Sequence, residues 1–67
     1  MIPIKVNGEP VSVAPECTVV ELLRQLAIAP ERVAVELNRE IVRKPDWAET
    51  KLEAGAELEI VQFVGGG

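Results

Sequence analysis

The chemistry open to this chain is concentrated at its C-terminal end. A run of good β-formers reaches Phe63 and Val64, and three glycines follow, Gly65, Gly66 and Gly67. Glycines at a domain end commonly form only a frayed, incidental extension. Here they leave a strand directly, with no Ser, Lys or tag-like residue between. Three residues without side chains make a thin thread ending in a carboxylate, able to enter a narrow channel in another protein where any Cβ would obstruct. A carboxylate resists nucleophiles because oxide is a poor leaving group. Activation by ATP as an acyl-adenylate supplies a good one, which a sulfur or amine nucleophile then displaces as AMP. The chain has no evident nucleotide site or base of its own, so a partner must carry out that activation. On this reading the chain is a carried substrate.

The other reactive residue types read as scaffold. There is no His and one Cys, so zinc, haem and iron–sulfur ligand sets cannot be assembled, and neither can a Ser-His-Asp or Cys-His pair. Cys17 precedes a helix start, where the dipole could lower a thiol pKa. A small, partly buried side chain at a loop-to-helix junction explains it more simply. Glu57 and Glu59 share one face of a strand and read as a solvated edge rather than an acid/base pair. Trp47 is either a partner anchor or, more simply, a cap on the edge of the core. Asn7-Gly8 is a turn and not a phosphate loop, since no Gly-rich cradle or Lys accompanies it.

Composition sets the limits within which these residues must be positioned. The 67 residues, 48% of them apolar, allow one small domain with one core. Eleven acidic residues against seven basic ones leave a net charge of −4, which disfavours a phosphate backbone as partner. Trp47 and Phe63 are the only aromatics, too few for a base-stacking platform. The charge instead suggests docking on a basic partner, weakened by added salt. A lone Cys, the lack of a signal-like start and the lack of a long apolar run lead us to expect a cytoplasmic protein, off the membrane and monomeric when free.

Ile2, Ile4 and Val6 alternate with polar or imino positions, Asn7-Gly8 follows, and Val11 and Val13 alternate in turn, which predicts a β-hairpin. Thr18-Val19-Val20-Glu21 has the capping-box form. Val19, Leu22, Leu23 and Leu26 then make one apolar stripe of a helix that Pro30 is expected to stop. Val33, Val35 and Leu37 predict a third strand, Asn38-Arg39 a tight turn, and Glu40 to Val42 a short fourth strand. A helical turn at Pro45–Ala48 and a turn at Glu53–Ala56 precede a last strand from Glu57 to Phe63. In that strand Leu58 and Ile60 share one face, and Val61 and Phe63 the other. A right-handed crossover places the last strand parallel to the first. The expected fold is an α+β ubiquitin-like β-grasp, a mixed sheet of four to five strands packed on one main helix. Residues 1–64 would form the domain and 65–67 a flexible glycine tail.

The chain resembles the ubiquitin-like sulfur carriers, and most closely the ThiS family of thiamin thiazole biosynthesis. The matching residues are Val6-Asn7-Gly8-Glu9, Thr18-Val19-Val20-Glu21-Leu22-Leu23, Val33-Ala34-Val35-Glu36-Leu37-Asn38 with Glu40-Ile41-Val42, Trp47, and Glu59-Ile60-Val61-Gln62-Phe63-Val64-Gly65-Gly66-Gly67. Diglycine is common to all such carriers, whereas the Val-Ala-Val-Glu-Leu-Asn block with the Phe-Val-Gly-Gly-Gly ending is far more specific. Arg39 departs from the pattern, since many relatives carry Gly there. The resemblance implies that a ThiF-like adenylating enzyme, using ATP and magnesium, activates Gly67. Sulfur from a cysteine desulfurase then converts it to a thiocarboxylate, and a ThiG-like thiazole synthase consumes that sulfur. Phe63, Val64, Gly65 and Gly66 would contact the partner channel, with no metal or cofactor held by the chain itself. Sibling readings are a carrier for molybdopterin or tRNA thiolation, a modifier of protein lysines, or a non-catalytic interaction module of the same fold.

Overall fold

Asn and Gly are the residues that most readily take positive φ, and Asn7 (φ 51°) and Gly8 (φ 84°) both do so. They close a two-residue turn between strand β1, Ile2–Val6, and strand β2, Glu9–Val13, whose twist suits the right-handed twist of the paired strands. A computed structural model of the protein describes residues 1–63; the tail expected at 65–67 and its boundary at Val64 lie outside the described residues. A second hairpin repeats the device. Strand β3, Val33–Leu37, turns through Asn38 (φ 50°) and Arg39 (φ 73°) into strand β4, Glu40–Val42. Arg39 thus adopts the left-handed conformation that Gly would take without strain.

Helix α1, Val19–Gln25, opens on the expected capping box. The Glu21 N–H donates to Thr18 Oγ1 at 3.2 Å, and the Thr18 N–H donates to Glu21 Oε1 at 2.9 Å. Val19, Leu22 and Leu23 are buried, while Leu26, the fourth residue of the stripe, is only half-buried. Pro30 does not stop the helix. The helix ends earlier, where Ala27 turns left-handed at φ 58°. The Ala27 N–H then bonds the Arg24 carbonyl at 3.1 Å and the Ile28 N–H bonds the Leu23 carbonyl at 2.9 Å, satisfying two carbonyls left open by the last turn. Pro30 instead begins a 3₁₀ turn, Pro30–Arg32. Ala27 is exposed, so its methyl adds strain without packing. Ala27→Gly is expected to stabilise the domain by about 0.5–1 kcal/mol, the relief of a left-handed L-residue less the entropy that glycine adds to the unfolded chain. Denaturant unfolding measures it, and a loss of stability would contradict it.

The last strand, β5, Glu57–Gln62, joins the two hairpins. The sheet order is β2-β1-β5-β3-β4, with β5 parallel to β1 and antiparallel to β3. This is the β-grasp arrangement. One face of the sheet presents Ile4, Val6, Val13, Val33, Val35, Leu58 and Ile60 to the core. α1 covers this face, together with a 3₁₀ turn, Lys44–Glu49, that is longer than the four residues expected. Trp47 is 3% exposed, and its indole N–H donates to the Val42 carbonyl at 2.8 Å. It belongs to the core and is unavailable as a partner anchor.

Candidate functional site

The site is built on β5, because that strand carries the chain toward its glycines. β5 pairs with β3 from Leu58 through Gln62, and the Phe63 N–H donates to the Arg32 carbonyl at 2.8 Å. Its hold on β1 is much shorter, at Lys5 with Glu57 and Val6 with Leu58. Beyond that point β1 has turned into its hairpin, and a side chain takes over. Asn7 Oδ1 accepts from the Ile60 N–H at 2.7 Å, and Asn7 Nδ2 donates to the Ile60 carbonyl at 3.2 Å. One carboxamide therefore stands in for the next residue of a β1 that has ended. The second hairpin contributes likewise, since Asn38 Oδ1 accepts from the Glu57 N–H at 3.0 Å and the Asn38 N–H donates to the Glu57 carbonyl at 2.8 Å. Both turn asparagines thus serve two purposes, relieving left-handed backbone strain and anchoring β5.

Period-two alternation decides which side chains accompany the tail. Leu58 and Ile60 point into the core, while Val61 and Phe63 are 55% and 61% exposed on the opposite face. The register places Ala34 beside Val61, and sets Ile41, Glu36 and Glu59 in one row across β4, β3 and β5. Ile41 is 72% exposed. The open face of the sheet is therefore an apolar surface interrupted by carboxylates, continuous with the end of β5. Single exposed apolar side chains are ordinary, and several on one sheet face make that face a candidate interaction surface. Glu57 and Glu59 face solvent as expected, although on the central strand of the sheet and not at an edge.

Of the predicted tail residues, the described structure contains Phe63 alone. Val64, Gly65, Gly66 and Gly67 lie outside the described residues. Cys17 is 6% exposed and its thiol donates to the Thr18 carbonyl at 3.4 Å. Burial pushes that thiol above its ordinary pKa, and the nearby Glu21 charge adds to the shift. Less thiolate means less nucleophile, so Cys17 is a core residue. Sequence reasoning missed Ala34, Glu36 and Ile41 as companions of the tail. Alternation alone put Ala34 and Glu36 opposite the core positions of β3, but only the strand register brings them beside Val61 and Glu59.

Comparison with known proteins resolves the family. The ThiS family model matches residues 4–67, running from the first strand through the three glycines. The chain belongs to the ThiS family. A crystal structure of the thiamine biosynthesis protein ThiS from Geobacter metallireducens is similar over 98% of this chain and 100% of that one, at 38% identity and a TM-score of 0.85. A solution structure of a thiamine biosynthesis protein from the same organism gives 36% identity and a TM-score of 0.80, covering 98% of this chain and 88% of that one. No curated protein matches the chain. Membership in the ThiS family agrees with the β-grasp architecture. No helix among the described residues is long and apolar enough to cross a membrane.

Proposed function

We propose that this chain is a sulfur carrier for thiazole formation in thiamin biosynthesis, and that Gly67 bears the sulfur as a thiocarboxylate. The observation that carries the reading is the family match, which extends through Gly67. The fold supports it. β5 is the central strand, held by β3 on one side and by β1 and Asn7 on the other, so the domain offers a rigid handle from which a short thread can be presented.

A ThiF-like adenylating enzyme would bind the open sheet face and accept Phe63, Val64, Gly65 and Gly66 along its channel. The Gly67 carboxylate attacks the α-phosphorus of its magnesium-bound ATP, forming the acyl-adenylate and releasing pyrophosphate. Persulfide sulfur, drawn from cysteine by a desulfurase, displaces AMP to give an acyl disulfide, and a thiol that attacks the outer sulfur of that bond releases the thiocarboxylate and leaves a disulfide. A ThiG-like thiazole synthase takes that sulfur into the ring, and the carrier returns to the carboxylate. All nucleotide chemistry belongs to the partner. The carrier contributes a protein-sized recognition surface, which positions a very small reacting group far more strongly than a free glycine could be positioned.

Intact mass of the chain taken from its native cells, before and after mild alkylation, tests the proposal. A species with one oxygen replaced by sulfur at Gly67, absent from a chain lacking Gly67, is the expected result. Chains found only as carboxylate when ATP, a sulfur donor and the activating enzyme are supplied would overturn it and leave an interaction module. Gly67 in amide linkage to lysines would make the chain a protein modifier. Sulfur delivered to molybdopterin or tRNA would make it a sibling carrier.

A further inference from the structure

The row Ile41–Glu36–Glu59 sets two carboxylates directly opposite each other on neighbouring strands. Like charges so placed destabilise a sheet. The register cannot slip to separate them, because it is locked by the core pairs Val35 with Ile60 and Leu37 with Leu58. No cation among the described residues forms an ion pair with either of them. Lys5 stands opposite Glu57, not Glu59. On the β1 side the row reaches the Asn7 turn, whose carboxamide is engaged with Ile60. Among the described residues the one ion pair, Lys51 with Glu16, involves neither glutamate. Glu36 is half-buried, Glu59 is exposed, exposed Ile41 and Val61 flank them, and exposed Phe63 lies further along the same face.

An apolar partner surface closing over this face would strip water from two facing carboxylates, a cost that only a cation brought by the partner offsets. Resting on the carrier reading above, we propose that the Glu36–Glu59 pair seats an arginine or lysine side chain that the adenylating enzyme presents from within an apolar surface. A guanidinium matches the site especially well, because its planar fork can donate to both carboxylates at once. Repulsion in the free carrier becomes attraction in the complex. The same contact fixes the direction in which β5 points its end, since Phe63 lies on that face.

The test measures thermal unfolding of the full chain and its affinity for the ThiF-like adenylating enzyme of the same cells. Glu59→Lys is expected to raise the unfolding midpoint by about 2–5 °C, because cross-strand repulsion becomes attraction. It should weaken binding at least about tenfold and flatten the salt dependence. Glu59→Gln should fall between wild type and Glu59→Lys in both respects. Stability and affinity moving in opposite directions is the signature of a docking charge, which a merely structural residue would not produce. Unchanged affinity in both variants would overturn the proposal, as would stability and affinity falling together. Formation of the Gly67 adenylate by the wild-type chain, followed by mass, reports on the carrier reading separately.

Discussion

Replacing Phe63 with alanine is expected to slow sulfur transfer about thirtyfold while leaving the unfolding midpoint where it was. The ring is 61% exposed and sits on the face opposite Leu58 and Ile60, so its loss removes no core packing. What remains at position 63 is the backbone N–H bond to the Arg32 carbonyl, which alanine preserves. In a complex, by contrast, an aromatic ring beside the reacting segment is the type of residue that dominates interface energies, worth roughly 2 kcal/mol or more when truncated. At about 1.4 kcal/mol per tenfold, that corresponds to roughly thirtyfold. Single-turnover adenylation across enzyme concentrations separates affinity from chemistry, and the loss should lie mainly in affinity. A collapse in stability with unchanged partner affinity would place Phe63 in the core and defeat the argument.

The largest expected effect on the fold itself is at Asn7. Its carboxamide makes both bonds to the Ile60 backbone, and its own backbone is left-handed. Asn7→Ala leaves the N–H and carbonyl of buried Ile60 without those partners, at a cost of about 1–3 kcal/mol. It also puts an alanine at positive φ, for about 1 kcal/mol more. Together these come to about 3 kcal/mol, enough to lower the unfolding midpoint of so small a domain by roughly 12–20 °C. Asn7→Gly removes the side-chain bonds and keeps the turn relaxed, so it should recover the backbone share. The Ile60 amide should exchange with solvent faster in both variants. A loss below about 1 kcal/mol in Asn7→Ala would mean that β3 alone holds this end of β5.

Much of this architecture could be read in the residues because local and tertiary requirements coincide. Asn7-Gly8 demands positive φ and a hairpin supplies it; Thr18 and Glu21 satisfy each other's amides wherever the helix docks; alternation assigns Leu58 and Ile60 to one face and Phe63 to the other. Other features had no local signal. Alanine has no preference for the left-handed backbone, so nothing at Ala27 announced the helix end, and Pro30 drew the boundary too far along. The engagement of Asn7 with Ile60 joins residues that only the crossover brings together. Glu57 and Glu59 read as a solvated edge because they share one face of a strand, whereas that strand lies in the middle of the sheet. The apolar and acidic companions of the tail became visible only once register aligned three strands.

The position of β5 also bears on how the protein is made. Of the five strands described, the last in chain order is the one that joins the β1–β2 hairpin to the β3–β4 hairpin. Until it emerges from the ribosome the growing chain holds two separate hairpins and a short helix, none of which can bury its apolar face alone. Folding of this domain is therefore deferred until β5 has been made. A chain broken off before β5 keeps its two hairpins unjoined and is open to proteases. In this topology the completed fold certifies that translation has reached the segment leading into the glycines.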